Sequence, residues 1–160
     1  GIRASETNPD YVANNQRLLD YVKAGGTMIV EYQKVALIQK NLVPFPAQMA
    51  SRVAEEDAKV TILEPAHPVF NSPNRITQAD FEGWVQERNL YAFSSFDDRY
   101  TGLLEAHDTG EPENKGGMVY AKSGEGQYVY TSYAFFRQLP AGVPGAWRLW
   151  ANLVSLGERN

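Results

Sequence analysis

Three groups of residues in this 160-residue chain have types and spacing that could do chemistry. The first is Glu31-Tyr32-Gln33, which follows the apolar run Met28-Ile29-Val30 directly. Sheets of the Rossmann type gather ligands at the carboxyl ends of their strands, so this is where a nucleophile would be delivered. None is: the chain has no cysteine and no G-x-S-x-G elbow. The second group is Glu105-x-His107-Asp108. On a strand Glu105 and His107 share a face, and with His67 reaching across the fold the set would suit zinc or manganese. The favoured reading is a polar strand end running into the turn-rich stretch 108–117, with His67, beside Pro68, bonded to local backbone; no metal or other cofactor is expected. The third group is aromatic: Tyr128, Tyr130, Tyr133, Phe135, Phe136, Trp147 and Trp150. Rings stack on sugars and anchor interfaces when exposed, but strand alternation and helical spacing assign most of these to the core.

The elements that must hold these groups are legible at the two ends of the chain. Asn8-Pro9-Asp10 starts a helix, with Asn8 as cap, Pro9 in the first turn and Asp10 at the positive end of the dipole. Tyr11, Val12, Asn15, Leu18, Leu19 and Val22 continue it at helical spacing to Gly25. Thr27 to Tyr32 follows as a strand apolar on both faces, which predicts a central place in a mostly parallel sheet. From Lys34 to Asn74 five prolines interrupt the pattern, and only Val60 to Leu63 reads as a strand. Thr77 to Val85 opens with a short helix or turn, and Tyr91 to Ser95 and Leu103 to Ala106 read as strands. Met118 to Lys122 and Gln127 to Tyr133, joined by Ser123-Gly124-Glu125-Gly126, read as a hairpin. Ala146, Trp147, Trp150, Leu153, Val154 and Leu156 mark one face of a final helix that Gly157 ends.

Composition narrows the function classes. Apolar residues make up 43% and charged residues 21%, as in globular domains. A formal charge of −4, with no two lysines or arginines adjacent, argues against nucleic acid and anionic membranes as partners. No apolar stretch approaches the roughly 20 residues of a membrane span, and no leader-like N-terminus is present. The absence of cysteine excludes disulfides and leaves the compartment undetermined.

Several segments carry a family resemblance. R-L-L-D-Y-V-K-A-G-G-T-M-I-V (Arg17 to Val30), G-E-G-Q-Y-V-Y-T-S (Gly124 to Ser132) and the terminal helix from Gly145 together resemble the class I glutamine amidotransferase-like superfamily, in its ThuA-like and β-galactosidase-trimerisation branches. G-I-R-A at the start, H-P-V-F (His67 to Phe70), D-F-E-G-W (Asp80 to Trp84) and A-F-F-R-Q-L-P-A-G-V-P-G (Ala134 to Gly145) are similar to the C-terminal domain attached to bacterial PIG-L-type deacetylases. The resemblance implies an α/β, flavodoxin-like, mostly parallel sheet flanked by helices and truncated at its N-terminus, with a C-terminal β-hairpin and final helix. It implies one domain over residues 1–160, the C-terminal part of a larger bacterial protein, with export through that parent an open alternative.

The resemblance also implies where catalysis would sit, and there the chain departs from the family. The nucleophile position holds Glu31-Tyr32-Gln33 and the histidine position holds Ser132-Tyr133-Ala134-Phe135, so no catalytic residue carries over. The metal motif of the deacetylases is missing too. On the family topology the strand ends share a rim, which makes Arg3, Glu6, Glu31, Tyr32, Gln33, Tyr133 and Arg137 the ligand-binding candidates. A carboxylate there, Glu31 or Glu6, would bind a sugar hydroxyl or serve as general base if burial raised its pKa, against the favoured reading of a structural ion pair between one of these acids and Arg3 or Arg137. The expected function is a non-catalytic accessory or assembly domain of a deacetylase acting on N-acetylated sugars or related glycans. Alternatives are a hydrolase using Glu31 or the Glu105/His107 group, and a carbohydrate-binding module. The expected partners are a linked or neighbouring deacetylase domain, a second copy of the chain, or a glycan.

Overall fold

A computed structural model describes residues 1–158. A first turn, α1 (Ala4–Thr7), leads into α2 (Pro9–Lys23), where the Asn8 side chain accepts the Tyr11 amide at 3.0 Å and caps the helix as the sequence predicts. Gly25, at φ +112°, supplies the left-handed residue that ends it. Strand β1 (Thr27–Glu31) follows at once, then α3 (Ala36–Gln39), β2 (Ala47–Val53) and β3 (Val60–Ile62). Two 3-10 turns, Pro68–Phe70 and Gln78–Phe81, precede β4 (Asn89–Phe96), β5 (Tyr100–Ala106), β6 (Asn114–Ser123) and β7 (Gly126–Thr131). The chain closes with α4 (Phe135–Gln138), α5 (Pro144–Val154) and a last 3-10 turn.

The seven strands form one sheet, ordered β1-β7-β6-β4-β2, with β5 and β3 branching from β6. Among the described residues only β1 and β7 are parallel, and the other five strand pairings are antiparallel. This overturns the flavodoxin-like, mostly parallel expectation. A parallel neighbour needs a crossover of a dozen or more residues, and the connections between β4, β5, β6 and β7 are too short to provide one. Strand β1 is corrected too: it lies at the edge of the sheet, although its sequence is apolar on both faces in the manner of an interior strand. The β6–β7 hairpin is as predicted, with Ser123 opposite Gly126.

Alternation along the strands divides the core into two layers. On one face Val30, Phe93, Val119, Tyr128 and Tyr130 pack with Val22 of α2 and Leu37 of α3, and the Phe93 and Tyr130 rings stack at 4.4 Å. On the other Leu104, Met118, Val129 and Tyr133 pack with Ala146, Leu149 and Leu153 of α5. The buried stripe of α5 therefore runs through Leu149, while Trp147 and Val154, expected on that stripe, are half-exposed. Both α3 and β2 lie in the stretch read as mostly loop. Strand β2 (AQMASRV) is poor in β-branched residues and is held by an irregular, thrice-shifted register on β4, so its strand character comes from pairing and not from propensity. Glycine is required where β6 passes β4: a Cβ on Gly116 would lie 2.0 Å from the Phe93 carbonyl oxygen.

Asn152 ties α5 to the long connection between β3 and β4. Fully buried, it accepts from the Asn74 amide at 2.8 Å and donates to the carbonyls of Val69 and Asn74 at 2.8 and 2.7 Å. Asn152→Ala would orphan these groups at about 1–3 kcal/mol each where they stay buried. We expect a loss of about 2–4 kcal/mol, measured by urea unfolding; a change under about 0.5 kcal/mol would show that the loop is held elsewhere.

Candidate functional site

The parallel pair brings two strand ends together, with Glu31 opposite Thr131. Beyond β1, Tyr32 turns the chain through φ +47°, a left-handed conformation rare for a bulky residue, while its amide donates to the Thr131 carbonyl at 2.7 Å. Its ring is buried against Tyr91, itself at φ +61°, and Phe136, with centroids 5.7 and 4.7 Å away. Its hydroxyl donates to the buried carboxylate of Glu87, which also accepts from Arg137 Nε at 3.3 Å. Strained residues of this kind collect at sites where the surroundings over-determine the backbone. Burial, reinforced by Glu87, raises the Tyr32 pKa well above the ordinary tyrosine value. The hydroxyl standing where a strand-end nucleophile would be is thus protonated and engaged.

Glu31 lies beside it at the mouth of a groove of about 550 Å³, lined by Ile2, Tyr11, Met28, Ile29 and Phe136 together with the three residues at the strand end. Burial raises the Glu31 pKa against the opposing effect of the Phe136 backbone amide, and its Oε1 is buried without a hydrogen-bond partner among the described residues. Gln33 is buried and bridges three segments: its Nε2 donates to the carbonyls of Gly1 and Glu31 at 2.9 and 3.0 Å, and its Oε1 accepts the Ser5 amide at 3.1 Å.

The remaining candidates scatter. Arg3 and Glu6 pair with each other at 2.8 Å outside the groove lining, and the hydrogen bond from Arg3 holds the Glu6 carboxyl below its ordinary pKa. This is the structural ion pair the sequence favoured. Arg137 pairs with Glu87 and lies 4.8 Å over the Phe136 ring. Tyr133 is fully buried on the opposite face of the sheet, edge-on to Trp84 at 5.8 Å. Glu87 and Tyr91 were missed; a lone glutamate in a polar loop carries no spacing signal, and only the tertiary contact with Tyr32 identifies it.

Glu105 and His107 do meet, at 2.7 Å, and the Glu105 carboxylate, accepting from the His107 ring, raises the His107 pKa. No third ligand joins them: among the described residues no group of three or more His, Cys, Asp or Glu side chains could hold a metal ion. Asp108 turns away to Arg52 and to the Glu55 amide. His67 caps the Pro68–Phe70 turn, accepting the Val69 amide at 3.2 Å, and packs on Tyr120, which pairs with Thr101. His107 lies six residues further along, roughly 20 Å away. The aromatic third is mostly core: Tyr128, Tyr130, Tyr133 and Phe135 are fully buried, while Phe136 and Trp147 are the rings left substantially exposed.

The raised Glu31 pKa makes a testable statement. A carboxyl that holds its proton more tightly in the folded state contributes stability fully below its ordinary value of 4.5, and loses it as pH rises through the folded value. Glu31→Gln should therefore gain stability relative to the parent between pH 4.5 and neutrality. Urea midpoints of both proteins at the two ends of that window check this; an unchanged difference would show that Glu31 titrates normally.

No family model matches the chain, and no curated protein matches it. Among solved structures it is similar to Cytoplasmic Protein STM3548 from Salmonella typhimurium, with a TM-score of 0.54 and 18% identity over 88% of this chain and 58% of that one. The chain thus spans less than two thirds of that protein's length, and the likeness is one of fold alone. Nothing in these comparisons supports an association with amidotransferases or deacetylases.

Proposed function

We propose that this chain is a non-catalytic accessory or assembly domain that docks through the open edge of β1. One observation carries the reading: the strand end that could present a reactive group presents a buried, hydrogen-bonded tyrosine, while the strand leading to it has an apolar edge that no strand pairs among the described residues. Edge strands are ordinarily blunted by lysine, proline or a bulge. β1 has none of these, and its register on β7 is unbroken. The partner suggested by the sequence resemblance, a PIG-L-type deacetylase domain acting on N-acetylated sugars, rests on the motifs alone.

A second reading, a hydrolase using Glu31 as acid or base, is favoured by the raised pKa of that residue. It lacks a second polar group poised beside the carboxyl, since Glu87 and Arg137 engage each other and Tyr32.

Two measurements test the proposal. Ammonia release from glutamine by the purified protein should stay at the level of a heat-killed control, and release above it would restore the catalytic reading. Binding of a separately purified PIG-L-type deacetylase domain from the same source, followed by calorimetry, should be weakened at least about tenfold, or about 1.4 kcal/mol, by Ile29→Lys. Equal binding by both proteins would exclude the edge as the docking surface.

A further inference from the structure

We infer that a groove beside β3 binds a free L-α-amino acid, with the ligand's carboxylate on Arg88 and its ammonium on an acidic rim of Glu56, Asp57 and Glu82. The groove holds about 530 Å³, within the range of small-molecule sites, and lies between the loop before β3 and the segment from the Gln78–Phe81 turn to Trp84. In the strand order β3 is far from β1, so the site stands whether or not the β1 edge docks a partner.

Arg88 is the unusual member of the lining. It is only 5% exposed, yet no carboxylate among the described residues forms an ion pair with it. Its Nε donates to the Ala58 carbonyl at 2.9 Å and its Nη1 to the Phe81 carbonyl at 2.5 Å, and the Trp84 ring lies 5.9 Å from the guanidinium carbon. Those bonds use two of the five N–H donors of a guanidinium. The rest, both on Nη2 among them, have no partner among the described residues, and the side chain lines the groove. Buried charges in folded proteins are ordinarily paired, because an uncompensated one is costly. Burial accordingly lowers the Arg88 pKa, against the opposing effect of Tyr133, Asp57 and Glu56. Two carbonyls thus fix the plane of the guanidinium and leave donors enough for the parallel pair of bonds that arginine makes to a carboxylate.

The rim selects what else the ligand carries. Glu56, Asp57 and Glu82 are exposed lining residues, joined by Lys59, and none of the four is in an ion pair among the described residues. Glu56 accepts the Gln86 amide at 2.5 Å, while Asp57 and Glu82 make no hydrogen bond. Three acids against one lysine repel a simple anion and favour a ligand that brings a cation with its carboxylate. An α-amino acid carries both charges on one carbon atom, so it reaches the guanidinium and the rim together. Val60, Phe81 and Trp84 supply the apolar part of the lining, against which its side chain rests.

The test adds each of the standard L-amino acids, at up to about 10 mM, to the whole chain and follows amide chemical shifts. At least one should move the amides of residues 56–60 and 81–84 and leave those of β1 in place. For that amino acid, the analogue without its amino group and the analogue without its carboxylate should each bind at least about tenfold more weakly. Arg88→Lys keeps the charge but loses the fork, and should weaken binding of the amino acid by a similar factor. Asp57→Asn and Glu82→Gln have no internal bond to lose, so they keep the test open if the Arg88 variant does not fold. They should weaken the amino acid and leave its deaminated analogue unaffected. No shift with any of the amino acids overturns the site. Equal binding of the amino acid and its deaminated analogue, or rim variants that bind both ligands as the parent does, also overturns it, since the acids would then serve only to balance Arg88.

Discussion

Everything distinctive about this molecule follows from one constraint, the parallel pairing of β1 on β7. Among the described residues it is the single parallel contact in an otherwise antiparallel sheet, and it brings two carboxyl strand ends to the same place. Without it Glu31, Tyr32 and Gln33 would not meet Phe136 and Arg137. The same pairing consumes the backbone groups of the even-numbered residues of β1 and leaves the odd-numbered ones facing outward, so the geometry of the strand end and the state of the edge have one cause.

The strand end joins a strained backbone to a locked side chain. The left-handed turn at Tyr32 is the kind of strained backbone that presents a reactive side chain, yet the side chain presented is locked by Glu87, Tyr91 and Phe136. A buried tyrosine bonded to a carboxylate loses its proton only at strongly alkaline pH, because ionising it would place two like charges together in a desolvated space. Arg137 pairs with Glu87, and Glu31 is the carboxyl of the strand end that lines the groove. Elsewhere polar residues at the ends of elements work in the same structural way: Arg148 pairs with Asp80 at 2.7 Å, and Arg88 donates to the carbonyls of Ala58 and Phe81.

How much could be read without the structure varied with the range of the interaction that decides each element. Asn8-Pro9-Asp10 and Gly25 bound the first helix through contacts within one turn of the chain, and the two residues Gly124 and Glu125 close the hairpin. These are local, so residue type and spacing were sufficient. β2 is strand only because β4 lies beside it, and α5 buries Leu149 in place of Trp147 because of what its sheet face offers. Of the candidate site, Glu31, Tyr32 and Gln33 gather at the groove, and Arg137 reaches Tyr32 only through Glu87. Arg3 and Glu6 neutralise one another, and Tyr133, one strand residue away in parity, lands on the far side of the sheet.

The sequence by itself determined the capped first helix, the strand it feeds, the terminal hairpin and helix, the lack of a thiol or serine elbow, and the local character of His67. Each follows from interactions spanning a few residues, or from the mere absence of a residue type. Only the tertiary structure decided that β1 ends the sheet, that its neighbours run antiparallel, and that Tyr32 is sealed by Glu87, 55 residues away. An apolar strand reads the same in the interior of a sheet and at its edge, since side-chain pattern reports which faces are covered and carries no record of whether the backbone groups beside it are paired.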